Sequence, residues 1–102
     1  MAKLIAMYKT PADAAAFDRY YYDTHLPIAK KIPGLRSYEV TRGPIGTLAG
    51  PVPYHLIAML TFDSAAAIQS ALASTEGQAT AADLGNFAVG GVEIFIAETE
   101  TI

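Results

Sequence analysis

The chain has two histidines, His25 and His55, and no cysteine. An imidazole titrates near neutrality, so it can take or give a proton without a cofactor. His25 closes the stretch "FDRYYYDTH", residues 17–25. On a helix, Phe17, Tyr21 and His25 stand four apart and share one face, with Tyr20 at its border and Tyr22 pointing elsewhere. An aromatic face leading to an imidazole, just where Pro27 should break the helix, is the strongest candidate for a site. The plainer reading is core packing by Phe17 and Tyr21, with His25 a helix-end cation favoured by the helix dipole.

The other candidates are weaker. Tyr8 and Tyr38 can point phenols into a cavity and hydrogen-bond a carbonyl or a phenolate, although packing is the plainer role for Tyr8 and suits Tyr38 equally well. His55 opens a strand in which it alternates with Ile57 and Met59. It should share their sheet face, as an edge histidine or as a second histidine of a pocket or interface. Arg36, Tyr38, Val40 and Arg42 share a face by the same alternation. Either arginine can bind a carboxylate, but a solvated edge is the simpler role. Two histidines make a poor metal case, and Asp23 lies on another helix face from His25, so no ligand triad is visible. Neither a Ser-His-Asp order nor a paired carboxylate site stands out. The loop "GPIGTLAGP" lacks the Lys-Ser/Thr ending of a phosphate loop. No metal and no cofactor are therefore expected.

These residues must be positioned by a small set of elements. "KLIAMYK", residues 3–9, reads as a strand buried on both faces. In "TPAD", Thr10 can cap, Pro11 suits the first helical position and Asp13 closes a capping box, giving a helix from Pro11 to Thr24. Pro27 should end or bend it, with a short turn continuing to Lys31, and Pro33-Gly34 forms a turn. Residues 35–42 form a second strand. Residues 43–53, with three Gly and three Pro, form a loop long enough to suggest a function. Residues 54–62 are a third strand. Asp63 or Ser64 caps a second helix, "TEGQ" at 75–78 starts another helical stretch, and Gly85 stops it after Leu84. Residues 89–100 supply the last strand. The order β-α-β-β-α-β is the ferredoxin-like arrangement of an α+β domain with a four-stranded antiparallel sheet. One domain spans residues 1–102, with no repeat and no linker.

Composition limits what such a domain can do. Only 17% of residues are charged, below the usual quarter, and the net charge is −3 with the basic residues scattered. Nucleic-acid binding is not expected. The apolar runs are far too short to cross a bilayer, and Lys9 interrupts the N-terminal one, so neither a membrane span nor a signal peptide is expected and the cytoplasm is the expected location. Two helices cover one face of a four-stranded sheet. Yet strands one, three and four carry apolar residues on both faces: Ile5 and Met7 on one side, Leu4, Ala6 and Tyr8 on the other. A homodimer with two sheets face to face is the simplest way to cover the remaining side. A small hydrophobic ligand in a cavity would also use those side chains.

Several features together resemble the EthD-like family (ethyl tert-butyl ether degradation) among the dimeric α+β-barrel proteins. They are His25-x-Pro27 at the helix end, Pro33-Gly34-Leu35-x-x-Tyr38 into strand two, Phe62-Asp63-Ser64 opening helix two, and Ser74-x-Glu76-Gly77 after it. The resemblance implies a homodimer with a pocket between the helices and sheet of each subunit, and His25 and Tyr38 as pocket residues. Its members and wider relatives include accessory proteins of degradation operons, a methylmuconolactone isomerase, cofactor-free monooxygenases and polyketide cyclases. Two functions therefore stand side by side. One is a cofactor-independent isomerase, cyclase or monooxygenase acting by proton transfer, with His25 as acid or base, Tyr38 as orienting donor, and Phe17, Tyr20, Tyr21, His55 and Tyr8 against the substrate. The other is a non-catalytic binding or accessory dimer of a catabolic pathway. Fold alone does not choose between them.

Overall fold

The computed structural model describes residues 1–102. Its elements are β1 (Ala2–Lys9), α1 (Ala14–Tyr20), a π-helical turn (Tyr21–His25), α2 (Leu26–Ala29), β2 (Ser37–Val40), β3 (Tyr54–Phe62), α3 (Ala65–Ala73), α4 (Thr75–Phe87) and β4 (Val92–Glu98). The four strands form one antiparallel sheet in the order β2-β3-β1-β4. This is the ferredoxin-like α+β fold. No helix is long and apolar enough to cross a membrane.

Strand alternation sorts the sheet into two faces. Register pairs Leu4 with Leu60 and Ile96, Ala6 with Ala58 and Ile94, and Leu60 with Tyr38. These residues face the helices; Leu4, Ala6, Ala58 and Leu60 form the core with Phe17, Tyr21, Phe62, Ile68, Ala71 and Phe87, Tyr38 packs against it, and Ile94 and Ile96 on the edge strand stay exposed. Ile5, Met7, Ile57 and Met59 look the other way and remain half-buried, beside an exposed Phe95. No helix covers that side.

The first helix differs from its sequence reading at both ends. Thr10 does not cap it. Asp13 does, accepting the Ala16 N–H at 3.0 Å, so the helix starts at Ala14. Asp13 sits one turn closer to the aromatic run, and an aspartate is at least as good a cap as a threonine. Pro27 does not end the helix either. An α-helical proline pushes its ring against the carbonyl one turn back. Here that turn is wound wider, and the Leu26 N–H bonds the Tyr21 carbonyl five residues back, so α2 continues to Ala29. The widening also aligns the site. Residues spaced by four on an α-helix drift about 40° per step round the axis. A wider turn subtracts from that drift, and Phe17, Tyr21, His25 and Ala29 all stay buried on one face.

Of the two caps open to α3 the chain uses Ser64, and Asp63 takes both Nε and Nη2 of Arg36 at 2.9 and 2.8 Å. Ser74, rather than Thr75, caps α4 by accepting the Gly77 N–H. Gly85 does not stop α4, which runs on to Phe87. A lone glycine weakens a helix by only about 1 kcal/mol, and Phe87 anchors the next turn in the core.

Candidate active site

The π turn and α2, the facing surface of α4, and the inner face of the sheet border an open-mouthed cavity of about 430 Å³. His25, Tyr8, Tyr21 and Tyr38 line it, and most of the remaining wall is apolar, including Leu4, Leu60, Leu72, Leu84 and Ile94. The apolar face of the first helix delivers His25 and Tyr21, β1 delivers Tyr8, and β2 delivers Tyr38.

His25 is only 3% exposed. Its Nδ1 lies 2.9 Å from Oδ2 of Asp83 on α4. Asp83 is itself buried, and its other oxygen accepts the Tyr20 hydroxyl at 2.6 Å and the Asn86 amide at 3.0 Å. Phe87 packs on the imidazole, with ring centroids 4.6 Å apart. Burial alone would raise the Asp83 carboxyl, but hydrogen bonds from Tyr20, Asn86 and His25 outweigh it and hold the group below the usual carboxylate range. Burial pushes His25 the other way, below the ordinary imidazole value, and Asp83 only partly offsets this.

Those two directions fix the protonation pattern at neutral pH. Asp83 is ionised and can only accept, so the neutral imidazole carries its hydrogen on Nδ1 and donates it to Asp83. The lone pair is then on Nε2. His25 makes no second hydrogen bond, yet no buried side-chain nitrogen or oxygen in the chain lacks a partner. Nε2 therefore opens on the cavity that His25 lines.

The tyrosines form the second polar feature. The hydroxyls of Tyr21 and Tyr38 are 2.6 Å apart. Tyr8 meets Tyr21 edge to face at 5.5 Å. Burial is the main cause that pushes all three phenols above their ordinary value, reinforced for Tyr8 and Tyr21 by Tyr38. They are un-ionised donors at neutral pH.

The structure thus brings His25, Tyr38, Tyr21 and Tyr8 to one cavity. It places Phe17 and Tyr20 behind that wall: Phe17 stacks on Tyr21, and Tyr20 holds Asp83. His55 is elsewhere. β3 carries one extra residue opposite Tyr8 and Lys9, since Tyr8 pairs with Leu56 but Lys9 pairs with Tyr54. The bulge turns His55 off the face of Ile57 and Met59 and toward α1, where Nε2 lies 2.7 Å from Oδ1 of Asp18 and the ring meets Phe17 at 5.3 Å. There it lines a separate, more polar cavity of about 400 Å³ with Arg42, Thr41 and the start of the 43–53 loop. Spacing along the sequence alone does not single out Asp83. With α4 extended to Phe87, Asp83 falls one turn before Phe87 on the apolar face, and that is the signal that marks it. No three His, Asp or Glu side chains gather as a metal-binding group.

The EthD domain matches residues 9–91. An uncharacterised 11.0 kDa protein of the thcB-thcC intergenic region of Rhodococcus erythropolis is 39% identical, covering 100% of this chain and 98% of that protein. An ethyl tert-butyl ether degradation family protein from Bacillus halodurans superposes with a TM-score of 0.89 and 38% identity, covering 98% of this chain and 99% of its own. SnoaB, a cofactor-independent oxygenase from Streptomyces nogalater, superposes with a TM-score of 0.68 over 99% of this chain and 94% of its own, and at 14% identity that likeness is one of fold. Matched along most of its length by the family's domain and throughout by a family structure, this chain belongs to the EthD family.

Proposed function

We propose that the protein is a small cytoplasmic homodimeric enzyme that moves a proton on a hydrophobic or aromatic metabolite without a cofactor, with His25 as base or acid and Tyr38 as an orienting donor. One observation carries this reading. His25 turns Nε2 to an apolar cavity while a buried, ionised Asp83 holds Nδ1. A carboxylate in the interior is expensive to desolvate. Packing alone would be served by an apolar residue at 83, whereas fixing one imidazole tautomer requires an acceptor there. The outcome would be an isomerisation, a cyclisation or an oxygenation of an activated substrate; SnoaB, on this fold, is a cofactor-independent oxygenase.

A second copy of the chain covers the helix-free face of Ile5, Met7, Ile57, Met59 and Phe95, sheet against sheet. A binding or accessory role is the second reading, and the mostly apolar wall favours it, since a container needs little else. The two part on one experiment. Native protein and His25→Gln are incubated with a panel of small hydrophobic ketones, lactones and phenols, following turnover and solvent proton exchange. Activity lost in His25→Gln supports the enzyme. Activity unchanged in the variant ends His25's role, and calorimetric binding without any turnover selects the container.

A further inference from the structure

Hydrogen-bonding capacity inside the cavity specifies what fills it. We infer that the substrate is an uncharged, enolisable carbonyl compound, its oxygen held between two phenol hydroxyls while His25 takes a proton from the adjacent carbon. The inference rests on the proton-transfer reading above and adds the substrate class.

Charge comes first. No Lys, Arg, Asp or Glu lines the cavity. A carboxylate or ammonium ligand would lose its water there and meet no counter-ion, which costs far more than apolar contact returns. The ligand is neutral.

Donors and acceptors come next. Three phenols reach the cavity, and all stay protonated because burial pushes their titration upward. Tyr21 and Tyr38 share one hydrogen bond, which uses one of their two protons and leaves one free. Tyr8 is 2% exposed and makes no side-chain hydrogen bond, yet no buried side-chain oxygen is stranded without a partner, so its hydroxyl opens on the cavity. Two free O–H donors and one acceptor, Nε2 of His25, therefore face a largely apolar space; Gln78 and Thr80 also line it, each donating to a backbone carbonyl, of Ala73 and Glu76. Tyr21 links them, its ring centroid 5.5 Å from that of Tyr8 and 5.4 Å from that of His25.

The complement of two donors is one oxygen with two lone pairs, which is a carbonyl oxygen. The complement of a lone basic nitrogen is an acidic hydrogen, which in a neutral carbonyl compound sits on the neighbouring carbon. The step balances without redox. The C–H bond breaks and its proton goes to Nε2. The electron pair forms a carbon–carbon double bond, and the carbonyl π pair moves to oxygen. The two phenols hold the resulting enolate oxygen, bonding it more strongly than the ketone oxygen it was. Return of the proton to the same carbon exchanges it; return to a conjugated position isomerises the substrate.

Three probes of similar size test this: 2-tetralone, the hydrocarbon tetralin, and the anion 2-naphthoate. Calorimetry should show the ketone binding at least about tenfold tighter than the hydrocarbon, from two net hydrogen bonds. The carboxylate should bind more weakly than either. Tyr8→Phe should cut the ketone preference about three- to tenfold. A variant with Tyr8, Tyr21 and Tyr38 all changed to Phe should bind ketone and hydrocarbon alike, with tetralin affinity kept as the sign of an intact cavity. In D₂O, native protein should exchange the α-hydrogens of 2-tetralone and His25→Gln should not. Equal binding of ketone and hydrocarbon, a preference that survives in the triple variant, or tighter binding of the carboxylate overturns the inference. Tyrosine-dependent ketone binding with no exchange by native protein overturns His25 as the base instead and leaves the oxygen-holding pair standing.

Discussion

Changing Asp83 to Asn tests the site at the group that sets its chemistry. The carboxylate accepts three hydrogen bonds, from Tyr20 at 2.6 Å, His25 at 2.9 Å and Asn86 at 3.0 Å. Charge-assisted bonds stabilise by roughly 1.5–3 kcal/mol each and neutral ones by about 1 kcal/mol, so neutralising the acceptor removes about 3 kcal/mol across the three. A neutral amide is cheaper to bury than a carboxylate, which returns part of this. Urea unfolding should therefore show a loss of about 1–3 kcal/mol with the slope unchanged. The chemical consequence is larger. With its oxygen facing Tyr20 and Asn86, the amide presents N–H to Nδ1 of His25. That nitrogen must now accept, so the ring hydrogen moves to Nε2 and the lone pair leaves the cavity. Nitrogen-15 NMR of histidine-labelled protein near pH 7.5 distinguishes the two tautomers directly. Native protein should show His25 protonated at Nδ1, and Asp83→Asn should show it at Nε2. Native His25 protonated at Nε2, or no change of tautomer in the variant, would refute the reasoning whatever the stability change.

Other expectations follow from the same structure. Gly77→Ala places a Cβ 2.0 Å from the Ala71 carbonyl oxygen, so α4 must move against α3; it should destabilise by about 1–3 kcal/mol in urea unfolding, net of the helix-propensity gain. Gly85→Ala meets nothing within 4 Å and should stabilise by up to about 1 kcal/mol, and equal effects at the two glycines would contradict the packing described. Because His25 titrates below its ordinary value of 6.5 when folded, the unfolded chain binds the proton first as pH falls; stability should decline from about pH 6.5 downward, and the decline should be smaller in His25→Gln. Asp83 is depressed when folded, so its contribution is present above the ordinary carboxylate range and is lost only as pH falls through its lower folded value. Light scattering should give about twice 10.8 kDa for native protein, and Phe95→Lys, on the helix-free face, should shift it toward the monomer.

Much of the architecture is written in short-range patterns. The short apolar runs at residues 3–9 and 54–62, the helical spacing of Phe17, Tyr21 and His25, and the turn at Pro33-Gly34 carry much of the ferredoxin-like order. What could not be read depends on partners distant in sequence or on departures from regular geometry. Asp83 lies 58 residues from His25 and looks like any acid on a polar helix until α4 is known to pass Gly85. Pro27 is a helix breaker by every local rule, and only the wider turn before it shows why it is tolerated. His55 was placed by strict alternation, which one unpaired residue in β3 reverses. Thr10 and Asp13 are both competent caps, and local sequence does not decide which the chain uses. The hydroxyls of Tyr21 and Tyr38 meet because the π turn and β2 come together in space, which no spacing along the chain encodes.

The bulge in β3 has a bearing on how acid acts on the molecule. By drawing an imidazole over to Asp18, it leaves the helix-free side of the sheet, which carries Lys3, Lys9, Glu39, Tyr54 and Glu93, without a histidine. In the dimer proposed above, the sheet-to-sheet seam therefore holds no imidazole to gain a charge in mild acid.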